Sequence, residues 1–173
     1  MKKIALLLSL FIGVQSFAQE SSDKYQDKVE TLDATINTLY GVISGEAGEA
    51  RDWDLMRHLF HPNGKLIASG KNREGKTGSR WLTVDDYINS SGPYIVENGF
   101  FENELNREVQ QFGNIAQVFS TYECFHSSKD AEPFMRGINS IQLMFEGTRW
   151  WVMNIYWTQE TEDNPIPKEF LSK

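Results

Sequence analysis

The chain has 173 residues, and 24 acidic against 17 basic side chains give a formal net charge of −7. That balance argues against nucleic acid and anionic lipid surfaces as partners, because both attract cationic proteins. Cys124 is the only cysteine, so an internal disulfide is excluded and the core alone must hold the fold. Aromatic residues make up 13% of the chain, 5 of them Trp, enough to line a pocket as well as to fill a core.

Residues 1–18 read as an export signal. Lys2 and Lys3 form the basic start, Ile4 to Val14 is apolar, and Ser16-Phe17-Ala18 supplies small residues before a cut at Gln19. The apolar run is shorter than the ~20 residues a membrane span needs. No cysteine stands next to the cut, so the expected product is periplasmic or extracellular, not lipid-anchored and free of the membrane. Residues 19–24 are polar and read as a disordered lead, with one domain over 25–173.

From Tyr25 the spacing of Val29, Leu32, Ile36, Leu39, Tyr40 and Ile43 predicts one long helix, ended by Gly45 and Gly48. Asp52 is placed to cap a second helix that buries Trp53, Met56, Leu59 and Phe60. Pro62-Asn63-Gly64 should stop it, with a short strand over Lys65 to Ser69. Gly70 to Ser79 lacks the order of a phosphate-binding loop and reads as a flexible rim. Thr83 caps a third helix with Asp85 and Asp86 in its first turn, which Gly92-Pro93 should break or kink.

From Phe100 the period is two. Phe101, Leu105 and Val109 mark a strand, Gly113-Asn114 a tight turn, and Ile115 to Phe125 the return. After a polar loop comes the hairpin Arg136 to Trp157, turning at Glu146-Gly147. Asn164-Pro165-Ile166-Pro167 should be a stiff tail lying over another element. The order fits an α+β architecture, a cone-shaped half-barrel with three N-terminal helices packed on a strongly curved, mainly antiparallel sheet.

Several polar residues fall among the apolar ones. Glu123, on one face with Phe119 and Thr121, should pair across the loop with Arg136, as a structural ion pair or as a carboxylate tuned to act on a ligand. Asn139 shares a face with Ile141, Leu143 and Phe145, and must bond either backbone or a ligand. Of Tyr156 and Trp157, one should wall the interior and the other face out. His58 and His61, near the end of the second helix, are further candidates for a general base, as alternatives to Glu123. Their spacing could seat a metal, but no supporting acid stands nearby, so no metal is expected, and no motif indicates a cofactor.

Leu39-Tyr40, Trp53 through Leu59-Phe60, the strand after Asn63-Gly64, and the final hairpin with Trp150-Trp151 occur in an order that resembles the nuclear transport factor 2-like, SnoaL-like superfamily, from Leu32 to about Glu160. The resemblance implies a cone with an open cavity, and often a homodimer formed through the sheet. Some members of the superfamily are ketosteroid isomerases, cyclases or dehydratases, and others only bind or associate, so the fold leaves the function open. Isomerase chemistry would need acids where this chain has Ala68 and Ile141, and only the tyrosine, Tyr40, matches. Three readings remain. One is an exported domain binding a small apolar or aromatic molecule through Tyr40, Glu123, Arg136, Asn139 and Trp157. Another is an enzyme of dehydratase, cyclase or hydrolase type using Glu123 with Arg136 or a histidine. The third is a dimeric interaction module with a filled cone.

Overall fold

Thr31 divides what the apolar spacing presents as one helix. Its side-chain oxygen accepts from the Ala34 amide at 3.0 Å, and its own backbone is extended. A threonine that caps the turn after it cannot also continue the turn before it. The result is a short α1 (Gln26–Val29) and the main helix α2 (Leu32–Ile43). The computed structural model describes residues 24–72 and 74–171. The stretch 1–18 read above as an export signal, and all but Lys24 of the expected lead over 19–24, lie outside the described residues.

Asp52 caps α3 (Trp53–Leu59), accepting from the Leu55 amide at 2.9 Å. The strand β1 (Phe60–Lys71) follows at once. Pro62-Asn63-Gly64 therefore does not stop the chain before a strand. It forms a bulge inside one, where the register against the neighbouring strand shifts between Phe60 and Lys65. The segment read as a rim loop is also partly strand. β2 (Thr77–Leu82) pairs antiparallel with β1 at the sheet edge. It is exposed up to Leu82, so it has no buried face to produce the alternation by which strands are recognised.

Thr83 and Asp86 form a reciprocal capping box for α4 (Val84–Asn98). This helix runs on through Gly92-Pro93 instead of breaking. The expected three helices are thus four among the described residues. The strands β3 (Phe101–Phe112), β4 (Ile115–Phe125), β5 (Met135–Glu146) and β6 (Arg149–Gln159) form an antiparallel meander. β1 joins it parallel to β6, giving one six-stranded sheet of order β2-β1-β6-β5-β4-β3.

Alternation assigns the faces. Val118, Ser120, Tyr122 and Cys124 of β4, Asn139, Ile141 and Leu143 of β5, and Trp150, Val152 and Ile155 of β6 are buried on the inner face. Ile36, Leu39, Tyr40 and Ile43 of α2 pack with them in one core. Each fully buried aliphatic side chain contributes about 1.5–3 kcal/mol to that packing. The tail crosses the outer face: Ile166 is buried, the Phe170 ring meets Phe119 edge-on, and Thr121 Oγ1 donates to the Phe170 carbonyl at 2.6 Å. Phe112 and Ile115, at the far end of that face, stay exposed.

Candidate functional site

The end of α2 and the start of β3 are fastened together. Gly45 and Phe100 exchange backbone hydrogen bonds, and the Glu102 amide donates to Ser44 Oγ at 3.0 Å. Gly99, at φ 71°, makes the turn that delivers Phe100 and Glu102 to this place. An added Cβ there would run into the His126 carbonyl. Glu102 therefore points inward, between α2, α4 and the inner face of the sheet.

A cavity of about 360 Å3 lies in that space. Leu39, Ile43, Ile95 and Ile155 line it with Tyr87, Tyr94, Phe100 and Trp157. Asn139 and Tyr40 approach Glu102 from the sheet and from α2. Asn139 Nδ2 donates to Glu102 Oε1 at 2.8 Å and to the Tyr40 hydroxyl at 3.1 Å. Tyr122 lies over its register partner Gly137, which has no Cβ to obstruct the ring.

The direction of the hydrogen bonds can be worked out. Ser120 Oγ donates its single proton to Glu104, whose carboxylate is paired with Arg107. Tyr40 must then donate to Ser120, at 2.7 Å, and accept from Asn139. Its proton points away from the cavity, so Tyr40 has none left to give an oxyanion. Ala68 and Ile141, the positions where an isomerase would carry acids, are apolar on the same inner side. Ketosteroid-type chemistry has no support in this arrangement.

Glu102 differs from Glu104. Both point inward from β3, but Glu102 has no cation in contact among the described residues. Burial pushes its carboxyl up to about 7, against the smaller downward pull of the Asn139 hydrogen bond. The side chain is only half-buried, and the surface it keeps opens onto the cavity it lines. Burial first, and the charge of Glu102 second, push the phenols of Tyr40, Tyr87 and Tyr122 upward. The same two causes raise the thiol of Cys124, which is fully buried and poorly placed to act as a nucleophile.

Of the residues singled out from sequence, Tyr40, Asn139 and Trp157 line the cavity together. Glu123 and Arg136 are opposite each other in register, but on the outer face. Arg136 bonds Glu160 at 2.9 Å, with Glu123 farther off at 3.9 Å. The pair does not reach the cavity, because residues of odd number in β4 and even number in β5 turn outward. His58 and His61 are also elsewhere. His58 Nε2 accepts from Arg149 at 2.7 Å, and burial, then Arg149, pushes its ring down to about 4. His61 accepts from the Asn63 amide and lies edge-on to Trp151. Among the described residues, no group of three or more His, Cys, Asp or Glu side chains converges as a metal site would.

Glu102, Tyr87 and Tyr122 are absent from the sequence-derived set. Leu105 misleads the reading of β3: a bulge between Glu104 and Asn106 inserts it, so Phe101, Leu105 and Val109 do not share one face. Glu102 and Glu104, two apart just after an apolar start, were the available signal.

Solved structures supply the comparison. A protein from Novosphingobium aromaticivorans, described as NTF2-like with a cystatin-like fold, aligns with a TM-score of 0.59 at 11% identity, over 88% of this chain and 96% of that one. The fold is nuclear transport factor 2-like. A protein of unknown function with a cystatin-like fold from Nostoc punctiforme aligns at 0.56 with 10% identity, over 76% of this chain and 90% of that one. An NTF2-like protein of unknown function from Silicibacter pomeroyi aligns at 0.52 with 16% identity, over 81% and 98%. No protein-family model and no curated protein matches the sequence. At these identities the shared property is the nuclear transport factor 2-like fold, and the chemistry has to be argued from this chain's own cavity.

Proposed function

We propose that this nuclear transport factor 2-like domain holds a small, mainly apolar molecule in its cone, with Glu102, Asn139 and Tyr40 addressing one polar group of it. The observation that carries the reading is the cavity. It has the volume of a small-molecule site, is walled by aromatic and aliphatic side chains, and converges on a single polar cluster. A filled cone working only as an association module is harder to reconcile with that space. Acid–base chemistry inside it would run through Glu102, since Glu123, Arg136 and both histidines named above lie outside.

The neutral dye prodan, whose emission shifts to the blue on burial, tests the reading. It should bind the native chain saturably. Ser91→Trp, which adds bulk from α4 into the cavity, should weaken that binding on the order of tenfold or more. Unchanged binding by a folded Ser91→Trp variant would place the dye elsewhere.

We also propose export. The support is the basic start at Lys2-Lys3, the apolar run to Val14 and the small residues before Gln19. Among the described residues no helix is long and apolar enough to cross a membrane. Expression in a bacterium with an intact secretion pathway should yield a chain beginning at Gln19 by intact mass. Recovery of only the full-length chain would count against it.

A further inference from the structure

Two carboxylates on one strand, facing the same way, are treated differently. Glu104 has Arg107 as its partner, and that arginine also reaches Asp33 and Asn37 on α2. Glu102 has no basic side chain beside it among the described residues and opens onto an aromatic cavity. The lining contains no Lys, Arg or His at all. A carboxylate taken out of water without a cation is costly, and a ligand able to supply the missing charge relieves that cost.

The neighbouring polar groups are oriented in the same sense. Asn139 spends both amide protons, on Tyr40 and on Glu102, and its carbonyl oxygen has no hydrogen-bond partner among the described residues. Tyr40 has spent its proton on Ser120. What these residues offer an incoming group is therefore acceptors. The same cavity is lined by the rings of Tyr87, Tyr94, Phe100 and Trp157, and an aromatic ring attracts a cation brought over its face.

Building on the cavity reading above, we infer that the preferred ligand is a protonated amine carried on an apolar or aromatic body, its ammonium held by the Glu102 carboxylate and the Asn139 carbonyl oxygen. The groups facing Glu102 are Tyr40 from α2, Tyr87 from α4, Glu104 on its own strand, Tyr122 and Cys124 from β4, and Asn139 from β5. None is basic, so among the described residues no cation competes for the carboxylate. Because the carboxyl titrates at about 7, affinity for an amine rises with pH until Glu102 is ionised.

Three probes sharing an indole body test this by calorimetry: tryptamine, neutral 3-ethylindole and anionic indole-3-propionate. At about pH 8, where Glu102 is ionised and tryptamine still protonated, tryptamine should bind at least about tenfold tighter than either of the others. Its affinity should fall up to about tenfold per pH unit below about 7. Glu102→Gln, with the fold checked by circular dichroism, should lose both the preference and the pH slope. The slope in the native chain tests the inference even if that variant does not fold. If 3-ethylindole or indole-3-propionate binds as tightly as tryptamine, the amine class is wrong and the cavity reading survives. If all three probes fail while prodan binds, the outcome is the same. If neither the probes nor prodan bind, both readings fall.

Discussion

Glu102→Gln raises the thermal midpoint at about pH 8 by several degrees and makes stability fall on acidification. The folded chain holds the Glu102 carboxyl at about 7, against an ordinary value of 4.5. Below 4.5 both folded and unfolded chains are protonated there, and no stability is lost. As pH rises from 4.5 to about 7 the unfolded chain releases a proton that the folded chain keeps, so stability declines. Above about 7 the whole loss, on the order of 3 kcal/mol, is present. Glutamine can still accept from Asn139 Nδ2 but carries no charge to desolvate. For a domain of this size a recovery of that order corresponds to about 5–10 °C.

His58 has the opposite sign. Its ring is held down at about 4 against an ordinary 6.5, so its contribution is present above 6.5 and is lost as pH falls toward 4. In the native chain the slopes oppose each other across the acidic range where both titrate. Removing Glu102 leaves that of His58 uncovered. Differential scanning calorimetry of both proteins at about pH 5 and about pH 8 reads the result. An unchanged midpoint at about pH 8 would mean that Glu102 sits in water, and the cavity argument would lose its polar anchor. A carboxylate that costs stability and remains in place is a common mark of a functional site.

Arg51→Met should destabilise the fold by on the order of 3 kcal/mol. The side chain is buried, and its guanidinium meets carbonyl oxygens alone: Nε donates to Ile43 at 3.0 Å, Nη1 to Glu49, and Nη2 to Gly45 and Glu46. The last turn of α2 has no basic residue of its own, so Arg51 supplies both the donors and the positive charge that a helix C-terminus favours. Methionine would keep much of the bulk but leave those carbonyls short of donors in a buried place. The same carbonyl cluster holds Gly45 against Phe100, directly beside Ser44's bond to the strand that carries Glu102. Chemical denaturation should therefore show a lower midpoint, and prodan binding should weaken with it. A loss of less than about 1 kcal/mol would mean that water replaces the guanidinium at these carbonyls.

Much of the fold was legible because its signals are local. Thr83 with Asp86, Asp52 ahead of Trp53, and Gly113 between Phe112 and Asn114 act within a few residues, and each marks the boundary it was read to mark. β2 was illegible because an exposed edge strand has no periodic apolar face, and the bulge at Pro62-Asn63-Gly64 was taken for an end. In the site, Tyr40, Asn139 and Trp157 could be found because they stand on strongly periodic elements. Glu102 could not, because one inserted residue, Leu105, reverses the phase of β3 and no local rule announces the insertion.

By itself the sequence determined the class of architecture, the four-strand meander that follows the helices, and the core stripe on α2, since period and capping are properties of neighbouring residues. It also determined that Glu123 and Arg136 would be paired, because the hairpin sets their register. Only the tertiary structure decided which face that pair would occupy, and that the carboxylate on the inside would be Glu102. Which acid is left without a cation depends on where Arg107 and Arg136 turn, and that is a property of the assembled sheet and of no segment within it.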